Sequence, residues 1–381
     1  MKNKLLLSSA LVGSLAITGL ASAQTTISGS LDLSYKTISN TGTLTRQTDA
    51  GFGRETQINI ANKGKLSNGM DYAAGFSLEF DGKSGAAQGL SDTSANAGSS
   101  AQSNIQRVSR ENMFIDVISG TTTLSVGMDH LNNMSFSSAP RVAQHASTTA
   151  ASAQLVTNTT GDVSAGTASG GVAYQFYPGA TSLGASNYMG LGIQQVTPFG
   201  TITGQYFPKA SSVQAGNDGV ARTAVSDAYE LHYRGDLGVK GLSANVGYNT
   251  VNHATATTTQ SEKQKGVAYG VGYNFGQFAV GAQRNKTDNG NSTIATKVDT
   301  KSTELGATFA ATKDISLGVT HVKTEGNFYH AMPADEKIVS GTIGYNLGAV
   351  SLSATYAEIQ DARGISGNDS DIVLIRAGTR F

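Results

Sequence analysis

The chain has no cysteine and no tryptophan, only 5 prolines, and charged side chains at just 14% of its residues. Without cysteine it can build neither a disulfide framework nor a thiolate metal site. Its charge fraction lies well below the roughly 25% of soluble domains. Acids and bases cancel at 27 each, and the two lysines of the N-terminal segment leave the remainder slightly acidic. No basic surplus therefore marks a nucleic-acid partner. After residue 23 no apolar run reaches the length of a membrane helix. Helical periodicity is missing as well. What is plentiful is glycine, 46 residues of it, distributed through short alternating segments.

Residues 1–23 read as a secretory leader. Lys2 and Lys4 form a basic start, Leu5 to Leu20 a mostly apolar core, and Ala21-Ser22-Ala23 a small-residue cleavage site. The mature chain then runs from Gln24 to Phe381 as one unit, since no linker of changed composition divides it. It is expected to leave the cytoplasm.

The mature chain alternates. Ile27, Gly29, Leu31, Leu33 and Tyr35 share one face of a strand, and Ser28, Ser30, Asp32, Ser34 and Lys36 the other. The same period of two recurs in 71–80, 242–249, 267–273, 339–347 and 350–356. A half-buried soluble sheet would also alternate, but three features favour a membrane barrel. The polar face is built from small residues, Gly, Ser, Asn and Thr. Aromatics gather toward strand ends, with Tyr35, Phe80, Tyr206, Tyr229 and Tyr356 near long connections and Tyr72, Phe199, Phe275, Phe278, Phe309 and Tyr345 near short ones. The connections themselves alternate between tight turns and long polar loops. Counting predicts an all-β, transmembrane antiparallel β-barrel of about sixteen strands, its first strand paired with its last. Every backbone N–H and C=O in the hydrocarbon layer must be bonded, and closure achieves this without an open edge.

One connection stands apart. Between His130 and Ser186 lie roughly 55 residues of Ser, Thr, Ala, Gly and Asn, far beyond an ordinary structureless loop. A barrel this wide is not filled by its own side chains, so the expectation is a constriction loop folded into the lumen. Gly171–Tyr177 (GVAYQFY) reads as a possible further strand within it.

The terminal segment IVLIRAGTRF, with Val373, Ile375, Ala377, Thr379 and Phe381 on one face, resembles the last strand of Gram-negative outer-membrane barrels. TTISGSLDLSY resembles the first strand of the general bacterial porins. RETQINIANKGKLSNGMDYAAGFSLEF resembles their second and third strands, and NMFIDVISGTTTLSVGMDH their fourth and fifth. The resemblance covers nearly all of the mature chain. It implies a water-filled channel in the outer membrane, passing ions and small hydrophilic solutes by diffusion. It also implies a homotrimer in outer-membrane lipid, with Phe381 as the signal read by the barrel assembly machinery. The chain departs from that family in its insertion, whose few ionisable groups are Arg141, His145 and Asp162. The family's acidic loop tip is not recognisable, so ion preference does not carry over.

Strand parity points Asp32, Lys36, Glu79, Arg110, Asp116, Glu230, Arg234, Glu304, Arg376 and Arg380 toward water, because a charge facing lipid at mid-membrane costs about 2–4 kcal/mol. Of these, Asp32, Glu79, Arg110 and Arg376 are the first candidates for the narrowest point, with Asp116 and Arg380 as further wall charges. Each reads equally well as a solvated wall charge, and Arg141 and His145 equally well as loop anchors. The glycines of GVAYGVGYNFG lack the strand-to-helix setting of a dinucleotide site and read as positions of bending or close backbone approach. Loop acids near 358–371 read as solvated rather than as a calcium site. No spacing suggests catalysis, and no cofactor is implied. The alternatives are a substrate-selective channel with a lumen binding site, an outer-membrane barrel enzyme, and a secreted β-rich adhesin.

Overall fold

The computed structural model describes residues 24–40, 50–82, 109–127, 138–140, 142, 190–208, 227–251, 263–288, 298–328, 334–361, 366–367 and 369–381. The leader and the possible strand Gly171–Tyr177 lie outside them.

Sixteen strands make up the described chain. They are β1 (Gln24–Asn40), β2 (Ala50–Lys65), β3 (Asp71–Gly82), β4 (Ser109–Ser119), β5 (Thr122–Gly127), β6 (Gly190–Thr197), β7 (Gly200–Phe207) and β8 (Ala228–Gly235). The second half comprises β9 (Leu242–Val251), β10 (Gln264–Phe275), β11 (Phe278–Asp288), β12 (Val298–Ala310), β13 (Ile315–Phe328), β14 (Glu336–Asn346), β15 (Val350–Gln360) and β16 (Ser370–Arg380). Each strand pairs antiparallel with its sequence neighbours, and β1 pairs with β16 to close the barrel. The count and closure agree with the sequence reading.

Short turns link the strands on one side. Gly276 and Gly348 adopt φ of 86° and 85° there, a left-handed conformation that glycine reaches without a Cβ clash. The start of β1 and the end of β16 lie on that same side. The seam is fastened past the last strand residue: Gly29 donates to the Phe381 carbonyl at 2.7 Å, and Phe381 donates back to Gly29 at 3.0 Å. The Phe381 ring lies over Gly29, where an added Cβ would come within 2.6 Å of it. Glycine at this position makes the space for the terminal ring.

The burial pattern is that of a soluble protein turned inside out. Val319 is 61% exposed and Ile115 60%, whereas Asn249 and Glu304 are fully buried. Apolar side chains outside and polar ones inside belong to a barrel that meets lipid on its outer face. Aromatic rings edge the outer band. Phe275, Phe278 and Phe309 stack near the short turns, with centroids 5.7 and 4.7 Å apart. Tyr206 and Tyr229 pack at 5.0 Å near the long connections. Two girdles follow, built from Tyr and Phe.

Candidate pore wall

Register fixes which residues face inward, because directly opposed residues of antiparallel strands share a side. From β8 to β12 the inward face carries Glu230, His232 and Arg234, then Asn245 and Asn249, Gln283 and Asn285, Ser302 and Glu304. His232 Nε2, Asn245 Nδ2, Asn285 Nδ2 and, on β5, Ser125 Oγ are buried and make no hydrogen bond among the described residues. Such atoms suit a wall that water solvates.

A short piece of the insertion lies directly on this wall. Ser138 Oγ donates to Asn245 Oδ1 at 2.6 Å, and Ser138 N donates to Gln283 Oε1 at 3.2 Å. Gln283 is held in turn by its Nε2, which donates to Asn285 Oδ1 at 3.0 Å. The segment then follows a track of inward glycines across successive strands. A Cβ on Gly272 or Gly281 would come within 2.3 and 2.5 Å of the Ser138 carbonyl oxygen, and one on Gly306 within 2.4 Å of the Pro140 carbonyl. Val142 fills the space above Gly318 and Gly344, at 2.8 and 2.7 Å from the same test atoms. The wall from β10 to β14 is therefore stripped of side chains along one line, and main chain lies in the groove.

The path matters because of where it begins. β5 ends at Gly127, and Val142 rests on β13 and β14, eight and nine strands further round a ring of sixteen. Half a ring is the full width of the barrel, about 30 Å at the usual strand spacing and tilt. Fifteen extended residues reach roughly 50 Å, so residues 128–142 have the length to cross.

Next to this track the wall changes character. Val322, Ile338, Ala357, Ile359, Ile372 and Leu374 face inward on β13 to β16 toward the long-connection end, none more than 4% exposed. Parity alone places apolar residues outside, so the sequence reading missed this patch. Its signal was the unbroken apolar run Ile372–Ile375, where alternation stops.

The predicted charges are distributed as follows. Asp32 and Arg376 come together across the seam, with Arg376 Nε donating to Asp32 Oδ1 at 3.3 Å and a terminal guanidinium nitrogen donating to Oδ2. Both are buried, so the pair is a lock between first and last strand. Asp116 is buried on β4, opposite Ala73 and Ser125. Arg380 lies exposed at the short-turn end, opposite Ser30. Glu79 lies opposite Ser109. Arg110 lies opposite Leu78, because the register shifts between Gly75 and Ser77. That bulge puts Arg110 out of step with Asp116, which simple parity could not foresee. Arg141, His145 and Asp162 lie outside the described residues. Among the loop acids, Asp361 accepts from Gly367 N at 2.7 Å and Asp369 from Asp361 N at 2.9 Å, so these carboxylates bind backbone and shape the turn.

Comparison with known proteins agrees with this geometry. No curated protein matches the chain. Among solved structures it resembles the Salmonella typhi OmpF complex with daunomycin, with TM-score 0.60 and 12% identity over 94% of this chain and 98% of that one. The anion-selective porin of Comamonas acidovorans gives 0.58 and 12%, covering 94% of this chain and all of that one. A loop-deletion mutant of OmpT, an outer-membrane protein of Vibrio cholerae, gives 0.58 and 12%, with 94% and 99% covered. At these identities the likeness speaks for the fold. The family model for Gram-negative porins matches residues 8–364. The chain belongs to the Gram-negative porin family and is a diffusion channel of the outer membrane.

Proposed function

We propose that the channel sieves by means of its insertion, whose first part crosses the lumen and leaves a passage narrower than the barrel. The observation that carries this is the seating of Ser138–Pro140 and Val142 on the wall opposite β5. Small hydrophilic solutes and ions pass on the remaining side, and wall charges bias which ions do so. Ion preference is carried by the sum of inward charges, since Asp32 and Arg376 neutralise each other. Phe381, seated at the seam, serves as the assembly signal, and the native form is a homotrimer.

Single-channel recording of the purified protein in a planar bilayer tests this, together with swelling of proteoliposomes in sugars of graded size. Stepwise conductance in groups of three, with a size limit well below the bare lumen, is the expected result. Conductance scaling with an unobstructed lumen of sixteen strands would overturn the sieving, and single independent steps would overturn the trimer.

A further inference from the structure

The charges that face the lumen are sorted by height on the wall. Away from the short turns they are covered. Asp32 and Arg376 hold each other across the seam, and Asp116, Glu230, Glu304 and Glu336 are at most 7% exposed. At the short-turn end they are open and basic. Lys63, two residues from the end of β2, lies opposite Gln24 and Ala73, in line with the inward Asp116. Arg234, next to last in β8, lies opposite Thr201 and Asn245. Arg380 ends β16 on the face of Arg376, opposite Ser30. All three are exposed. β2 and β16 flank β1, and β8 stands across the ring from them.

The other charges of that end nearly cancel. Lys65 pairs with Asp71 at 2.8 Å, and Lys313 with Asp314 at 2.7 Å. In the turn between β8 and β9, Asp236 accepts from Gly238 N at 2.9 Å, and Lys240 follows four residues on. The terminal carboxylate, at Phe381, offsets one base more. Lys63 and Arg380 make no ion pair among the described residues. Asp71 is the one inward acid of this rim among the described side chains, and Lys65 holds it. The buried charges can be assigned to holding the barrel together. Lys63, Arg234 and Arg380 face open water at the entrance, where they act on what enters.

We propose that Lys63, Arg234 and Arg380 form a basic collar at the short-turn mouth, the periplasmic one in a bacterial barrel, which enriches small anions there and makes conduction asymmetric. The inference rests on the reading that wall charges bias ions, and it is independent of how the insertion narrows the lumen. Rings of basic side chains favour anions, and low-dielectric walls concentrate their field in the opening. Fixed charge acts over a Debye length, about 10 Å at 0.1 M salt and about 3 Å at 1 M. In a mouth about 30 Å wide, the collar therefore governs much of the cross-section in dilute salt and little of it in concentrated salt. With the long-connection side positive, anions enter through the mouth that has enriched them while cations arrive from the other end, and ions accumulate in the lumen. At the opposite polarity the collar holds back entering cations while anions leave, and the lumen is depleted.

The test is planar-bilayer recording of the full-length folded protein in potassium chloride, each channel read at both polarities. The chain has no cysteine, so biotin on Q277C, in the short turn between β10 and β11, marks that side when streptavidin is added to one chamber after each recording. In about 0.1 M salt the current with the long-connection side positive should exceed the opposite one by roughly 1.2–1.5-fold, and the ratio should fall to near 1 in about 1 M. K63Q/R234Q/R380Q should bring the ratio to near 1 in dilute salt, and K63E/R380E should invert it. K337Q, on the lipid-facing side of β14, should leave it unchanged. Heat-modifiable gel mobility confirms folding of each variant, and an unchanged size limit for sugars separates the collar from the sieving. A ratio that survives the triple substitution, or that persists in concentrated salt, would overturn the proposal and assign the asymmetry to the shape of the lumen. Equal currents at both polarities in the native chain would overturn it as well.

Discussion

Gly306→Val is the sharpest probe of the seated segment. The three atoms nearest the Cβ position at Gly306 all belong to that segment: the Pro140 carbonyl oxygen at 2.4 Å, Pro140 N at 3.2 Å and Ala139 C at 3.3 Å. Ordinary contact begins at 3.4 Å, so even alanine would force a shift of about 1 Å, and the branches of valine require more. Two outcomes compete. Keeping the segment in place would cost the strain of overpacking, about 1–3 kcal/mol. Releasing it would give up the two Ser138 hydrogen bonds, about 1 kcal/mol each, while the strand ladders stay intact. The two are comparable, and the barrel has no reason to yield, so the segment moves. Planar-bilayer recording of G306V should show a folded channel with altered unitary conductance, by roughly 10–30%, and more open-channel noise. Gly341→Val is the control, because nothing lies within 4 Å of its Cβ position. Wild-type conductance and noise in folded G306V would refute the placement of residues 138–142 as an element of the passage.

Three further outcomes follow from the wall and the seam. Asp32→Ala leaves the Arg376 guanidinium buried without its carboxylate, and the folded barrel should lose about 3–5 kcal/mol, read by denaturant unfolding in detergent; D32A/R376M should recover much of it, and failure to do so would show that the pair does more than compensate charge. Gly29→Val places side-chain atoms where the Phe381 ring and the Gln57 carbonyl already sit. G29V and F381A should therefore both lower the yield of heat-modifiable folded barrel, while Gly348→Asn, at a left-handed turn that asparagine tolerates, should change it little. Ile338→Asp puts a charge among buried apolar groups and should cost several kcal/mol, whereas Thr342→Asp, four residues further along the same strand on the same face, should be milder; equal tolerance would mean that the patch is wet.

The fold was legible because one physical constraint writes itself along the whole chain. Lipid outside and water inside impose a period of two, and the side-chain pattern of 267–273 or 339–347 can satisfy it in only one register. Turn and loop lengths then fix strand number and the side of the termini. The site was less legible. Parity located Asp32 and Arg376 inside but says nothing of distance across a seam between residues 344 positions apart. It miscounts wherever the register slips, as between Gly75 and Ser77 for Arg110. It also assigns one character to a whole face, so the buried apolar group around Ile338 and Ile372 escaped it. The glycines of GVAYGVGYNFG did signal close backbone approach. That the approaching backbone belongs to Ser138 is a tertiary fact that no local pattern holds.

The glycine track has a consequence for how this channel can change. Gly272, Gly281 and Gly306 meet carbonyl oxygens of Ser138 and Pro140, atoms that every residue carries. The address at which Ser138 and Pro140 are moored is therefore written in the wall and read largely through main chain, with the Ser138 hydroxyl and the Val142 side chain adding to it. A substitution at Ala139 or Pro140 that keeps the main-chain path leaves these carbonyl contacts in place, while a single methyl group on the wall displaces them. A lineage of such channels, or an engineer, could retune what passes by rewriting the insertion freely, provided that the bare line along the barrel is left alone.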